Sequence, residues 1–224
     1  MLTNNKYQMK SFAIAALVGL VSANTHLDDT TGIFPKSDSW RSGFVDLNEK
    51  DNIFYWQFDS RDSPSEDPLV MWLTGGPGCA SEVALFFENG PFTFNEDGKT
   101  LGVNPYAWNS HANLLYVDQP IGTGFSHAAK GHGVRTEEKV AEDMELFLKG
   151  FLEQNPQFVG RDFYITGESY AGHYVPAIAY HLLFETEIDL NLKTIAIGNG
   201  LTDPFHQYPS YAPFSYENGL ITEE

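Results

Sequence analysis

Short uninterrupted apolar runs alternate along this chain with longer stretches in which apolar residues recur every three or four positions. Leu69-Val70-Met71-Trp72-Leu73 has no polar residue, as expected of a strand buried on both faces. Ala112 to Val117, Phe163 to Thr166 and Lys193 to Ile197 predict three further short strands. Upstream, Gly43 to Asn48 and Asn52 to Phe58 predict two strands joined by the polar turn Glu49-Lys50-Asp51. Residues 59–68 hold Ser63-Pro64 and Asp67-Pro68 and predict a loop, and the polar, turn-rich residues 24–42 predict an extended lead-in. Val140, Met144, Phe147, Leu148, Phe151 and Leu152 recur at helical spacing. Thr136 is positioned to cap that helix, with Glu137 and Glu138 in the first turn, where the helix dipole favours acids. A second helix is predicted from Ala171 to Phe184, with Pro176 in or near its first turn. Strands alternating with helices predict an α/β fold with a mostly parallel sheet covered on both sides. There is no internal repeat and no low-complexity tract.

Composition fits one sizeable packed domain: 224 residues, 42% hydrophobic and 14% aromatic. The formal charge of −17 repels phosphate backbones and anionic lipid and argues against a nucleic-acid partner. At the N-terminus, Lys6 and Lys10 precede the uncharged apolar run Ser11 to Val21, and Val21-Ser22-Ala23 offers a small-x-small cleavage site. Residues 1–23 are therefore expected to be a signal peptide, too short for a comfortable transmembrane anchor. Cleavage would remove two lysines and no acid, taking the charge to −19. Residues 24–224 would then enter the secretory pathway, for secretion or for a vacuolar or lysosomal compartment, with no further membrane span. Cys79 is the only cysteine, and an odd cysteine in a secreted chain implies an absent partner or a free thiol.

The candidate chemistry centres on Gly167-Glu168-Ser169-Tyr170-Ala171-Gly172, between a predicted strand and a predicted helix. A serine there, flanked by small residues, sits on a turn that lifts its hydroxyl clear of the sheet. Glycine is expected two places after such a serine. Here that place is Ala171, and glycine follows one later. Gly75-Gly76-Pro77-Gly78 breaks the chain directly after the Leu69–Leu73 run. No His/Cys cluster has metal-ligand spacing, so no metal or organic cofactor is expected.

Several longer blocks extend these two. They are Trp72-Leu73-Thr74-Gly75-Gly76-Pro77-Gly78-Cys79, Phe86-Phe87-Glu88-Asn89-Gly90-Pro91, Trp108-Asn109, Ala112-Asn113 and Asp118-Gln119-Pro120-Ile121-Gly122-Thr123-Gly124-Phe125-Ser126. Gly167 to Pro176 and Ile197-Gly198-Asn199-Gly200 complete the series. In this order they resemble the serine carboxypeptidases, a branch of the α/β-hydrolase fold, from about residue 30 to the C-terminus. The resemblance implies an enzyme that removes C-terminal residues from peptides and proteins through an acyl-enzyme on Ser169. It implies an oxyanion hole of the Gly76 and Tyr170 N–H groups. Glu88 and Glu168 would bind the substrate carboxylate by sharing a proton, since two adjacent carboxyls cannot both ionise. Such a site suits acidic pH. Gly75 and Thr74 would adjoin the carboxylate, and Phe87 and Tyr170 would line side-chain pockets.

The sequence departs from the family pattern at three points. Thr74 stands where the family has Asn, offering one hydroxyl donor in place of two amide donors. Ala80 stands where the family usually has Ser. A serine hydrolase also needs a histidine base and an orienting acid, which in α/β-hydrolases follow the serine. Only His173, His181 and His206 follow Ser169. The first two are predicted on a helix running away from the hydroxyl. Asp203 and His206 lie three residues apart in an expected loop, too close in sequence for an acid that should arrive from its own strand. In the family, the stretch matching Thr202 to Leu220 leads into a helical insertion, the catalytic Asp and His follow it, and the cysteine matching Cys79 pairs far downstream. The expectation is an α/β-hydrolase core truncated before its helical cap and last strands, inactive alone. An acyltransferase of the same family and a non-catalytic binding fragment are the alternatives, and nothing in the sequence fixes an oligomeric state.

Overall fold

The computed structural model describes residues 33–188 and 190–222. The expected signal peptide and the start of the lead-in lie outside them.

The central sheet has six strands in the order β1-β2-β6-β3-β7-β8. They are β1 (Trp40–Asp46), β2 (Asn52–Phe58), β3 (Leu69–Leu73), β6 (Asn113–Val117), β7 (Asp162–Glu168) and β8 (Asn191–Gly198). β6, β3, β7 and β8 run parallel, while β1 and β2 pair antiparallel at one edge. A two-stranded antiparallel hairpin of β4 (Phe92–Phe94) and β5 (Leu101–Val103) stands apart. Four α-helices complete the fold among the described residues: α1 (Glu82–Phe87), α2 (Glu137–Gln154), α3 (Ala171–Phe184) and α4 (Pro204–Glu217). This is an α/β-hydrolase-type core.

The uninterrupted apolar runs are explained by burial on both faces. Alternate side chains of each inner strand point to opposite sides. Ile53, Tyr55, Leu69, Met71, Leu73, Leu115, Val117, Phe163 and Ile165 join the α2 and α3 side chains in one core. Phe54, Trp56, Phe58, Trp72, Leu114 and Tyr116 face the other way, onto Ala84, Leu85 and Phe86 of α1 and Phe92 and Leu101 of the hairpin. The helical-period residues Val140, Met144, Phe147, Leu148 and Phe151 are all buried, and the Thr136 side chain caps α2 by accepting from the Lys139 N–H at 3.3 Å.

The structure also corrects the sequence reading. β1 starts at Trp40, inside the expected lead-in, because Trp40 pairs with Phe58 across the hairpin. Pro176 lies in the second turn of α3, where it removes one backbone bond to the Gly172 carbonyl. Short α1 and the β4–β5 hairpin were not anticipated. Asp203 and His206 belong to the start of a helix, not to a loop: Asp203 is the N-cap and Pro204 occupies the first turn. α4 buries none of its residues. Among the described residues β8 pairs only with β7, which leaves its other side an open edge there, and most of its residues are exposed.

Phe151 anchors the helix-covered core, edge-on to Tyr55 at 5.0 Å and stacked on Phe158 at 5.8 Å. Phe151→Ala is expected to cost about 3–5 kcal/mol, measured as a lower urea midpoint at unchanged slope.

Candidate active site

Ser169 sits between β7 and α3 with φ of +62°, a left-handed conformation that non-glycine residues hold at a cost of about 1–3 kcal/mol. Three backbone bonds hold it there. Its N–H donates to the Gly198 carbonyl at 3.0 Å, and its carbonyl accepts from Gly172 at 3.0 Å and Leu201 at 2.8 Å. The side chain is exposed. Small neighbours are required by contact: a Cβ on Gly167 would lie 2.6 Å from the Leu73 carbonyl oxygen, and one on Gly172 would lie 2.6 Å from that of Leu201. The close approach is thus made by Gly172, and Ala171 fits in the core beside it.

The glycine loop after β3 reaches this turn. A Cβ on Gly75 would lie 2.4 Å from the Tyr170 nitrogen and 2.6 Å from the Glu168 carbonyl oxygen. Gly76 follows, exposed, at φ of +112°. The loop is closed by the Cys79 N–H on the Gly75 carbonyl at 3.1 Å, and the Gly78 N–H donates to Tyr174 Oη at 3.3 Å. Tyr170 is the N-cap of α3, and the first N–H groups of a helix have no intrahelical acceptor. The structure therefore brings Gly75, Gly76, Ser169 and Tyr170 together. Cys79 is a free, exposed thiol.

Two carboxyls adjoin the turn. Glu88, just past α1, is in hydrogen-bond contact with Glu168, the last residue of β7. Partial burial, then the Glu168 charge and that contact, push the Glu88 carboxyl up to about 7. Thr74 is buried, and its Oγ1 accepts from Trp72 Nε1 at 3.1 Å, leaving the hydroxyl proton free to donate elsewhere. Phe87 is 73% exposed and stacks on Phe94 of the hairpin at 5.4 Å. Phe94 gave no sequence signal, because its place beside Phe87 depends on the hairpin.

The remaining polar partners also came from tertiary structure. Tyr170 Oη donates to Glu137 Oε1 at 3.1 Å, so the first turn of α2 holds the ring of the residue after the serine. The same ring stacks on His173 at 4.7 Å.

Among the described residues no histidine is hydrogen-bonded to the Ser169 hydroxyl. His173 Nδ1 is buried without a partner. His181 is held between Glu185 at 2.9 Å and Glu145 at 2.7 Å; burial opposes its charge, but these two acids outweigh it and raise its pKa. His206 bonds to Asp203 on the exposed start of α4. No cluster of three His, Cys, Asp or Glu side chains among the described residues could hold a metal ion, and no described helix is long and apolar enough to cross a membrane.

Comparison with known proteins gives this geometry a context. The sequence pattern of the family described as "Serine carboxypeptidase" matches residues 33–224. A "Serine carboxypeptidase-like" protein of Oryza sativa is 51% identical over 177 residues, 76% of this chain and 41% of its own length. "Carboxypeptidase Y homolog A" of Uncinocarpus reesii is 47% identical over 179 residues, 80% of this chain and 32% of its own. The crystal structure of Kex1(delta)p, a prohormone-processing carboxypeptidase from Saccharomyces cerevisiae, superposes with a TM-score of 0.75 at 34% identity. It covers 92% of this chain and 47% of the other. The chain spans less than half the length of each of these proteins.

The Glu88–Glu168 contact has a thermodynamic signature. A carboxyl that holds its proton to about 7 when folded, against 4.5 ordinarily, binds protons more tightly in the folded state. Stability is expected to fall as pH rises from 4.5 to about 7. Glu88→Gln should flatten that part of a plot of urea midpoint against pH.

Proposed function

Because this chain belongs to the serine carboxypeptidase family, we propose that it carries the nucleophile, oxyanion and carboxylate-binding half of a peptidase that removes C-terminal residues from peptides and proteins. The observation that carries this reading is the contact of the glycine loop with the Ser169 turn, where a Cβ on Gly75 would lie 2.4 Å from the Tyr170 nitrogen. That contact supports the Gly76 and Tyr170 N–H groups as joint donors to an oxyanion formed over Ser169. Preorganised donors of this kind contribute on the order of 3–4 kcal/mol of transition-state stabilisation each.

Ser169 Oγ attacks the last peptide carbonyl. The C–N bond breaks as the tetrahedral intermediate collapses, and the serine proton passes through a base to the leaving amine. Water then hydrolyses the ester and returns the proton to Ser169. The Glu88–Glu168 pair, holding one proton between its members, donates to the substrate's terminal carboxylate. Thr74 Oγ1 adds a second donor, and Phe87 contacts a substrate side chain. Raising pH past the Glu88 value of about 7 leaves two negative carboxyls facing a negative substrate, so activity belongs to acidic conditions. We assign the base and its acid to a segment outside the described residues, on this polypeptide or another, since His173, His181 and His206 all have other surroundings. The leader at residues 1–23 supports delivery through the secretory pathway, with residues 24–224 as part of the hydrolase domain.

Residues 1–224 alone are expected to release no C-terminal amino acid above a Ser169→Ala control at acidic pH. Co-expression with the C-terminal half of a related carboxypeptidase should give Ser169-dependent release. Turnover that survives Ser169→Ala would overturn the assignment. In the complemented enzyme, Thr74→Asn restores two amide donors and should lower KM for peptides about fivefold, the worth of one added hydrogen bond of about 1 kcal/mol; an unchanged KM would remove Thr74 from carboxylate recognition.

A further inference from the structure

One carboxylate ties the glycine loop to the turn that follows β6. Asp118 is 1% exposed. Its Oδ1 accepts the Ser81 N–H and its Oδ2 accepts the Phe125 N–H, each at 2.8 Å. Ser81 is the N-cap of α1, and its hydroxyl accepts the Thr74 N–H at 3.3 Å while donating to the Val117 carbonyl at 2.7 Å. Gly124 crosses the same carboxylate so closely that a Cβ there would lie 1.9 Å from Oδ2. Asp118 thus holds the Ser81 end of the Thr74–Ser81 loop to residues 118–126 directly, and the Ser81 hydroxyl ties the Thr74 end to the same point.

Glu82, the first residue of α1, brings a second carboxyl into hydrogen-bond contact with Asp118. Ionised carboxylates only accept, so this contact requires a proton on one of them. Among the described residues no cation offsets the pair. Glu82 faces Asp118, Asp118 faces Glu82, and no Lys, Arg, His, Tyr or Cys acts on either carboxyl from the glycine loop, α1, β6 or the 118–126 turn.

We propose that Glu82 is a positioning residue that keeps a proton on its carboxyl pair with Asp118 and thereby latches the Gly75–Gly78 loop to the 118–126 turn. With the proton present, Glu82 donates to Asp118, and Asp118 keeps both backbone donors. With it absent, the buried Asp118 charge and the half-buried Glu82 charge repel, and relief requires α1 or the 118–126 turn to move. Burial first and the Asp118 charge second push Glu82 up to about 9, and burial raises Asp118 as well. The folded state therefore binds the proton more tightly than the unfolded chain. The latch is complete below the ordinary carboxyl range and is lost as pH rises toward about 9. The Glu88–Glu168 contact titrates lower, near 7, which separates the two pairs.

The role of the Gly75–Gly78 loop in catalysis rests on the peptidase reading, but the proton does not, and the test reads the proton and the loop without turnover. Infrared spectra of the 224-residue chain would be recorded between the two titrations, above about 7 and below about 9. The protonated-carboxyl band should be present in the wild type and in Glu88→Gln and absent in Glu82→Gln. Hydrogen exchange of the Ser81 and Phe125 amides is the second readout. Their protection in the wild type should drop about tenfold or more once pH passes the Glu82 titration. In Glu82→Gln, which keeps a donor but has no proton to lose, protection should stay level with pH. Persistence of the band in Glu82→Gln, or wild-type protection that tracks Glu82→Gln throughout, would overturn the proposal. If Glu82→Gln fails to fold, absence of the band in Glu88→Gln overturns it and presence supports it.

Discussion

Everything at the reactive end of this fold depends on backbone segments meeting more closely than side chains allow. β7 stops at Glu168, α3 starts at Ala171, the loop after β3 crosses at Gly75, and the segment after β8 crosses at Leu201. All four converge on Ser169. The left-handed Ser169 is held because its N–H and carbonyl are bonded to Gly198, Gly172 and Leu201. Releasing the strain would cost three hydrogen bonds, each worth about 1 kcal/mol net, so the conformation persists without help from the hydroxyl itself. Architecture and chemistry share one origin here, since the packing that seats α3 on β3 and β7 is also what exposes the serine.

Charge is arranged around the same point. The short helix α1 carries a carboxyl pair at each end, Glu82 with Asp118 at its start and Glu88 with Glu168 past its end. Neither pair includes a cation, and in a chain of formal charge −17 no excess of lysine or arginine is available to supply one. Protons therefore take the part that salt bridges play elsewhere in this molecule, such as Arg61 with Asp38 at 2.7 Å or Lys139 with Asp143 at 2.8 Å.

Much of this was legible in the sequence, and the reasons differ by element. The inner strands announced themselves because burial on both faces favours apolar residues, as in Leu69–Leu73. α2 was legible from its cap and its apolar stripe. The Ser169 turn was legible because steric demands at Gly167 and Gly172 restrict residue type. By contrast, α1 spans six residues, too few to show a period, and β4 and β5 span three each. The start of α4 carried Asp203 and Pro204, but prolines at 209 and 213 hid the helix that follows. Glu82 gives no signal in the sequence because a lone acid reads as surface, and only the fold brings Asp118, 36 positions later, against it.

Trp72 donates its indole N–H to Thr74 at 3.1 Å and lies edge-on to Trp108 at 5.3 Å, with Trp108 45% open to solvent. Thr74 is thus wired to a fluorophore. Any molecule that engages the Thr74 hydroxyl shifts the electron density on the acceptor of the indole bond, and any that covers Trp108 changes its polar surroundings. Occupancy of this corner is written into the intrinsic emission of the protein, so its ligands can be followed optically without a label and without waiting for a reaction.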